Sequence, residues 1–233
     1  MKQRNIGFLS GNLLKLIAAI SMVVDHAGLL FFPQQDIFRI LGRLAFPIYA
    51  FFIAEGCHYT KNRLRYFLQI FLLGALCQAV YFFVSGDTYL NILLTFSCSI
   101  LLIYLLQQVQ ASSHFLWKLA FVAAIVLIAL LTRQVQIDYG FAGILVPVFA
   151  SVLHPARRSL LHAKDLLLSV ALLGIGLLLL SYSNGSVQYY SLLTLPLLLL
   201  YSGQRGKGNF KYAFYLFYPL HLVVLQAIAW LLS

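Results

Sequence analysis

The stretch SMVVDHAGLLFF, Ser21 to Phe32, sets an aspartate beside a histidine inside an apolar run that begins near Leu13. Asp25 and His26 lie about a dozen residues into that run, too deep for a helix cap, where side chains serve the first turn. Three more ionisable residues, Arg43, Glu55 and His221, also fall within apolar runs or at their ends. A charge near the centre of a membrane helix costs about 3 kcal/mol, so such groups are expected to face a bundle interior or a wet cavity. Histidine titrates near neutrality and can take a proton from an amine or hydroxyl and return it. Proton chemistry inside a membrane, with basic residues gathered on one side, suits transfer of a group from a nucleotide-bearing donor to an acceptor on the other side. It equally suits a proton-coupled transporter that uses Asp25, Glu55 and His221 as relay groups. Composition does not choose between the two.

The elements that must hold these residues follow from the solvent. The chain of 233 residues is 62% hydrophobic and 9% charged, with mean hydropathy +0.90, far from the roughly one-quarter charged residues of soluble domains. Apolar runs of about 17 to 20 residues recur, each long enough to cross a hydrocarbon core of about 30 Å. The expected fold is an all-α polytopic transmembrane helix bundle, a single membrane domain over residues 1–233. Its nine spans are Leu13–Phe32, Ile37–Cys57, Tyr66–Val84, Leu90–Val109, Phe115–Leu131, Tyr139–Leu153, Leu166–Ser181, Val187–Tyr201 and Tyr212–Leu232. The sixth and eighth are short and carry Pro147 and Pro196. A β-barrel would alternate polar and apolar residues, and these runs do not. The first run is long and ends in FFPQQD without a small-residue cleavage pattern, so it reads as a retained helix rather than a signal peptide. Cys57, Cys77 and Cys98 are spread through separate runs, without CxxC spacing or a Cys/His cluster, so no metal site is expected.

Basic residues set the orientation. Lys2, Arg4, the KNRLR cluster, Lys118, HPARRSLLHAKD and SGQRGKGNFK fall on one side if the spans alternate. The positive-inside rule makes that side cytoplasmic, with the N-terminus inside and the C-terminus outside. The net charge of +10 is therefore a topology signal, and no nucleic-acid partner is expected. Asp25 and Arg43 then lie at matching depth, each about 10 Å below the outer surface at ~1.5 Å per residue. Adjacent antiparallel helices can join them, either as a packing ion pair or as part of a site. Asp25 and His26 point about 100° apart on a helix, so the dipeptide is not by itself a catalytic dyad. Glu55 and His58, three apart at the cytoplasmic end of the second span, read as an interface pair or as substrate contacts. His221 follows Pro219, whose ring frees the carbonyl one turn back and can kink the helix into a cavity.

The segments LKLIAAISMVVDHAGLLFF, RILGRLAFPIYAFFIAEG, DYGFAGILVPVF and FYLFYPLHLVVL, in that order, resemble the TraX family. The likeness covers nearly the whole chain, from about Leu14 to Leu225, and the glycine-rich YSGQRGKGNFKY fits it too. Founding members of that family N-acetylate F-type pilin. The resemblance implies a membrane acetyltransferase in the bacterial cytoplasmic membrane, with acetyl-CoA as donor. The acceptor would be an amine or hydroxyl of a protein N-terminus, glycan or lipid at the outer side. Carried over motif by motif, Asp25 and His26 are the DH of the first helix, with His26 the general base. Arg43 is the arginine of GRxAFP, Tyr139 belongs to the YGxxG turn, and His221 is the histidine of the last helix. Arg157, Arg158, Arg205 and Lys207 in the basic loops would hold the donor's phosphates, and oligomers are allowed. The chain departs from the family pattern in CQAVYFF, Cys77 to Phe83, where an acidic residue and a proline are usual. That departure leaves the acceptor open.

Overall fold

The computed structural model describes residues 7–86, 88–152, 163–208 and 210–232. The first helix, α1 (Gly11–Phe31), starts where the Ser10 hydroxyl accepts from the Leu13 N–H, satisfying one of the orphan donors of a helix start. It stops short of Pro33. Where the sequence predicts one continuous second span over Ile37–Cys57, the structure has two pieces, α2 (Asp36–Gly42) and α3 (Ala45–Tyr59). Pro47 explains the break. It sits in the first turn of α3, where no N–H is needed, but its ring excludes the carbonyl four residues back, that of Arg43.

Next come α4 (Arg63–Ser85), capped by Asn62 and ended by Gly86 at φ 68, and α5 (Ile92–Ala111). Asn91 ties these two together, its amide donating to the Gly74 carbonyl at 2.8 Å and to Gln78 Oε1 at 3.1 Å. The helix α6 (Phe115–Gln134) has no buried residue among those described and lies at the periphery against α5. Then follow α7 (Gly140–Ser151) and α8 (Ala163–Asn184). The eighth run becomes a 3-10 helix, η1 (Ser186–Leu193), followed by the short α9 (Thr194–Leu199). Pro196 stands in the first turn of α9 as Pro47 does in α3, and for the same reason the chain does not reach it as one α-helix. The last helix is α10 (Lys211–Leu232), which packs on α1.

Six helical segments among the described residues are long and apolar enough to cross a membrane, and three shorter apolar ones accompany them. Strand pairing is limited there to two isolated bridges, Leu9 with Tyr201 and Leu90 with Ile137. The core is built around α3, whose Ile48, Ala50, Phe51 and Ala54 are fully enclosed by α1, α5 and α7. Close approach of α7 and α8 depends on Gly176, where an added Cβ would meet Val146 Cα at 3.3 Å and Phe149 at 3.2 Å.

Candidate active site

Among the described residues, an elongated cavity of about 1020 Å³ opens within the bundle. It runs alongside α1 from Asn12 and Lys15 at one end to Asp25, His26 and Leu29 at the other, a rise of about 25 Å at ~1.5 Å per residue. Residues from α2, α3, α4, α5, α8, η1 and α10 also line it.

At the His26 end, Asp25 is gripped by two arginines. Arg43 Nη2 donates to both its carboxylate oxygens at 2.9 and 3.1 Å, and Arg39 Nη1 donates to Oδ2 at 2.8 Å. The Asp25 and Arg43 side chains are 14% and 11% exposed, while Arg39 is 35% exposed. Arg43 spends its remaining fork on structure: Nε donates to the Arg39 carbonyl at 3.2 Å and Nη1 to Gln188 Oε1 at 3.1 Å. The break after Gly42 is what aims Arg43 inward, and Gly42 itself is obligatory, because a Cβ there would land on the Asp25 side chain. The depth match between Asp25 and Arg43 is thus realised as contact, and Arg39 joins them.

His26 does not bond Asp25. Its Nδ1 lies 2.8 Å from the Met22 carbonyl, and His221 Nδ1 lies 2.9 Å from the Phe217 carbonyl. A carbonyl only accepts, so each Nδ1 carries the proton and each neutral ring presents its Nε2 lone pair. The two rings meet edge to face with centroids 5.1 Å apart. His221 Nε2 is buried without a hydrogen-bond partner. First and last helices therefore bring two bases together, each in the tautomer that can accept a proton.

Tyr139 lies on the cavity wall in a left-handed conformation, φ 61, stacked on Phe46 at 4.2 Å. Its neighbour Asp138 also lines the cavity. Burial pushes the Asp138 carboxyl up to about 6, while the Arg43 guanidinium pulls it down. At the Asn12 end, Glu55 accepts from the Tyr201 hydroxyl at 2.7 Å, and the Lys15 ammonium sits over the Phe52 ring at 4.6 Å. Arg205 lines this mouth on the loop of residues 202–208. That loop straps the start of α1: Gln204 and Arg205 carbonyls accept from the Gly11 and Asn12 N–H groups, and the Asn12 side chain donates to the Lys207 carbonyl at 3.0 Å.

Several expected site residues fall elsewhere. His58 is not among the residues lining the cavity and faces α5, with Nδ1 3.4 Å from Gln107 Nε2. Its three-residue offset from Glu55 turns it about 60° round the helix. Lys207 contributes its carbonyl, not a cavity side chain. Arg157 and Arg158, like Lys2 and Arg4, lie outside the described residues. Conversely, Lys15, Asp138, Gln188 and Tyr201 belong to the site and were not singled out from sequence. For Gln188 a signal existed, since it is an amide in the apolar run SVQYYSLLTLPLLLL.

Fold and site together define a polytopic helical membrane protein with a histidine-bearing cavity alongside its first helix. The chain belongs to the TraX protein family, whose model matches residues 10–229. It is 29% identical over 250 residues to a probable fimbrial assembly protein, FimC of serogroup H1, from Dichelobacter nodosus, covering 95% of this chain and 96% of that one. It is 27% identical over 230 residues to the protein TraX of Escherichia coli, covering 94% and 86%. An uncharacterised protein of Rickettsia prowazekii is 28% identical over 151 residues, 64% of this chain and 58% of that one. No solved structure matches.

Proposed function

We propose that the protein is an integral membrane acyltransferase that moves an acetyl group from cytoplasmic acetyl-CoA to an amine or hydroxyl acceptor at the outer side. The carrying observation is the cavity, which has Lys15 and Arg205 at one end and His26, backed by the ring of His221, at the other. Lys15 lies three turns below His26, about 16 Å at ~1.5 Å per residue. About fourteen bonds separate the diphosphate of acetyl-CoA from its thioester carbon. Extended chain covers about 3.5 Å per three bonds, so the arm reaches about 16 Å. A donor whose phosphates rest on Lys15 and Arg205 would set its thioester beside His26. Of the four cations expected to hold the donor's phosphates, Arg205 lines this cavity, as does Lys15.

In the transfer, His26 Nε2 takes the proton of the acceptor as its nitrogen or oxygen attacks the thioester carbon. Collapse of the tetrahedral intermediate breaks the C–S bond, and the proton returns to the departing thiolate, leaving acetylated acceptor and free thiol. His221, whose ring meets that of His26, would share that proton. Asp25, clamped by two arginines, anchors the site. One relative's name carries fimbrial assembly, so a pilin-type protein is the first acceptor to try.

The test is calorimetric titration of the purified protein with acetyl-CoA, beside a Lys15→Gln, Arg205→Gln variant and with acetyl-pantetheine, which lacks the phosphates. Each charge-assisted contact is worth about 1.5–3 kcal/mol, so the double variant should bind at least a hundredfold more weakly. Acetyl-pantetheine should bind wild type and variant alike. A folded wild-type protein that binds no acetyl-CoA refutes the reading.

A further inference from the structure

Gln188 is 2% exposed and stands on the 3-10 helix that replaces the expected eighth span. Its amide can be oriented without ambiguity. Arg43 Nη1 donates to it at 3.1 Å, and a guanidinium has no acceptor, so the amide oxygen must face Arg43. The NH2 group therefore points the other way. There Nε2 is buried and has no hydrogen-bond partner, although the residue lines the cavity. A buried donor left unmatched costs about 1–3 kcal/mol, which the fold sustains only where a water or ligand oxygen completes it.

The surroundings say what kind of oxygen. Arg43 withdraws density from the amide oxygen, and a hydrogen bond received at one end of an amide strengthens donation at the other. The result is a neutral donor backed by a cation, suited to an oxygen that gains negative charge. Arg43 itself is held in place, since its Nε, Nη1 and Nη2 donate to the Arg39 carbonyl, Gln188 and Asp25. Asp25, the partner of Arg43, is one residue from His26. The polarised amide and the base thus share one end of one cavity.

Resting on the acyltransferase reading, we propose that Gln188 Nε2–H is the hydrogen-bond donor to the thioester carbonyl oxygen, and that Arg43 is its positioning residue. As the acceptor attacks and His26 takes its proton, the carbonyl electron pair moves onto the oxygen facing Gln188. Collapse of that oxyanion expels the thiolate, which recovers the proton. A preorganised donor of this kind is worth about 10²–10³ in rate.

The decisive variant is Gln188→Glu. It keeps an oxygen for Arg43 and so preserves any purely structural role, but it replaces the donating NH2 with an acceptor. Infrared difference spectra of acetyl-CoA labelled with carbon-13 at the carbonyl report the hydrogen bond directly. The thioester C=O band should shift to lower frequency on wild type and not on Gln188→Glu, with donor affinity by calorimetry unchanged within about twofold, because the phosphates lie at the far end. Incorporation of tritiated acetyl groups into inside-out vesicles from the native host should fall at least a hundredfold. Equal band shifts in the two proteins, or no shift in a wild type shown to bind acetyl-CoA, overturn the assignment and leave the acyltransferase reading standing. Absence of acetyl-CoA binding to wild type defeats that reading first, and the donor role with it. Gln188→Leu removes both hydrogen bonds. If it fails to fold, Gln188→Glu alone decides.

Discussion

The two arginines that share Asp25 should contribute very unequally to stability, and the structure gives the ratio. Arg39 offers one hydrogen bond from a side chain that is 35% exposed. Solvent screens such a contact, and exposed ion pairs are worth about 0–1 kcal/mol. Arg43 is 11% exposed, holds both carboxylate oxygens, and also bonds Gln188 and the Arg39 carbonyl. Removing one partner of a buried pair costs about 3–5 kcal/mol, because the other charge is left without compensation. Arg39→Gln should therefore cost under about 1 kcal/mol, and Arg43→Gln about 3–5 kcal/mol. Asp25→Asn in the Arg43→Gln background should cost much less than in wild type, since the charge it discharges has already lost its main partner. Reversible unfolding in mixed detergent micelles, followed by circular dichroism, measures all four proteins. Equal losses for the two arginine variants, or strict additivity of Arg43→Gln with Asp25→Asn, would refute the claim that burial decides the contribution.

His26→Ala should lower acetyl transfer by about 10²–10⁴, the usual range for a general base. It should cost about 1 kcal/mol of stability, since the ring gives up one local hydrogen bond, and a variant with near wild-type transfer removes His26 from the mechanism. Asp138 supplies a pH signature. Its carboxyl is raised to about 6 from 3.8, so the folded state holds that proton more tightly than the unfolded chain. The associated stability is full below pH 3.8 and is lost as the pH climbs through about 6. Asp138→Asn should flatten the fall in melting temperature across that window, and an unchanged slope would count against it.

The helical architecture was legible because length and hydropathy decide it, and the apolar runs coincide with the observed segments. The Asp25–Arg43 contact was legible as well, since depth in a bilayer can be counted along two antiparallel helices. The breaks were harder to read. A proline in a first turn is compatible with a helix, so Pro47 and Pro196 signal an interruption four residues upstream only once the backbone path is known. The Asn12 end of the cavity was hidden for another reason. Lys15, Tyr201 and Arg205 come from distant parts of the chain, and the strap that unites them is made of backbone hydrogen bonds, to which side-chain identity gives no clue. His58 lies off this cavity because spacing along a helix gives a level, while the side facing the cavity depends on the packing of neighbours.

The short segments bear on how the protein is made. Gly140–Ser151 covers about 18 Å at ~1.5 Å per residue, well under a hydrocarbon core of about 30 Å. The 3-10 stretch with the six-residue helix after it covers about 25 Å at ~2.0 and ~1.5 Å per residue, still under that thickness. An insertion machinery that weighs each emerging segment by its own partitioning would release these two only weakly into lipid. The first must wait for α8 and the second follows it, and since α8 packs against both they enter as part of an assembling unit. Biogenesis would then depend on the order of synthesis, and truncation after Ser151 should leave a nascent chain whose last segment stays extractable from the membrane.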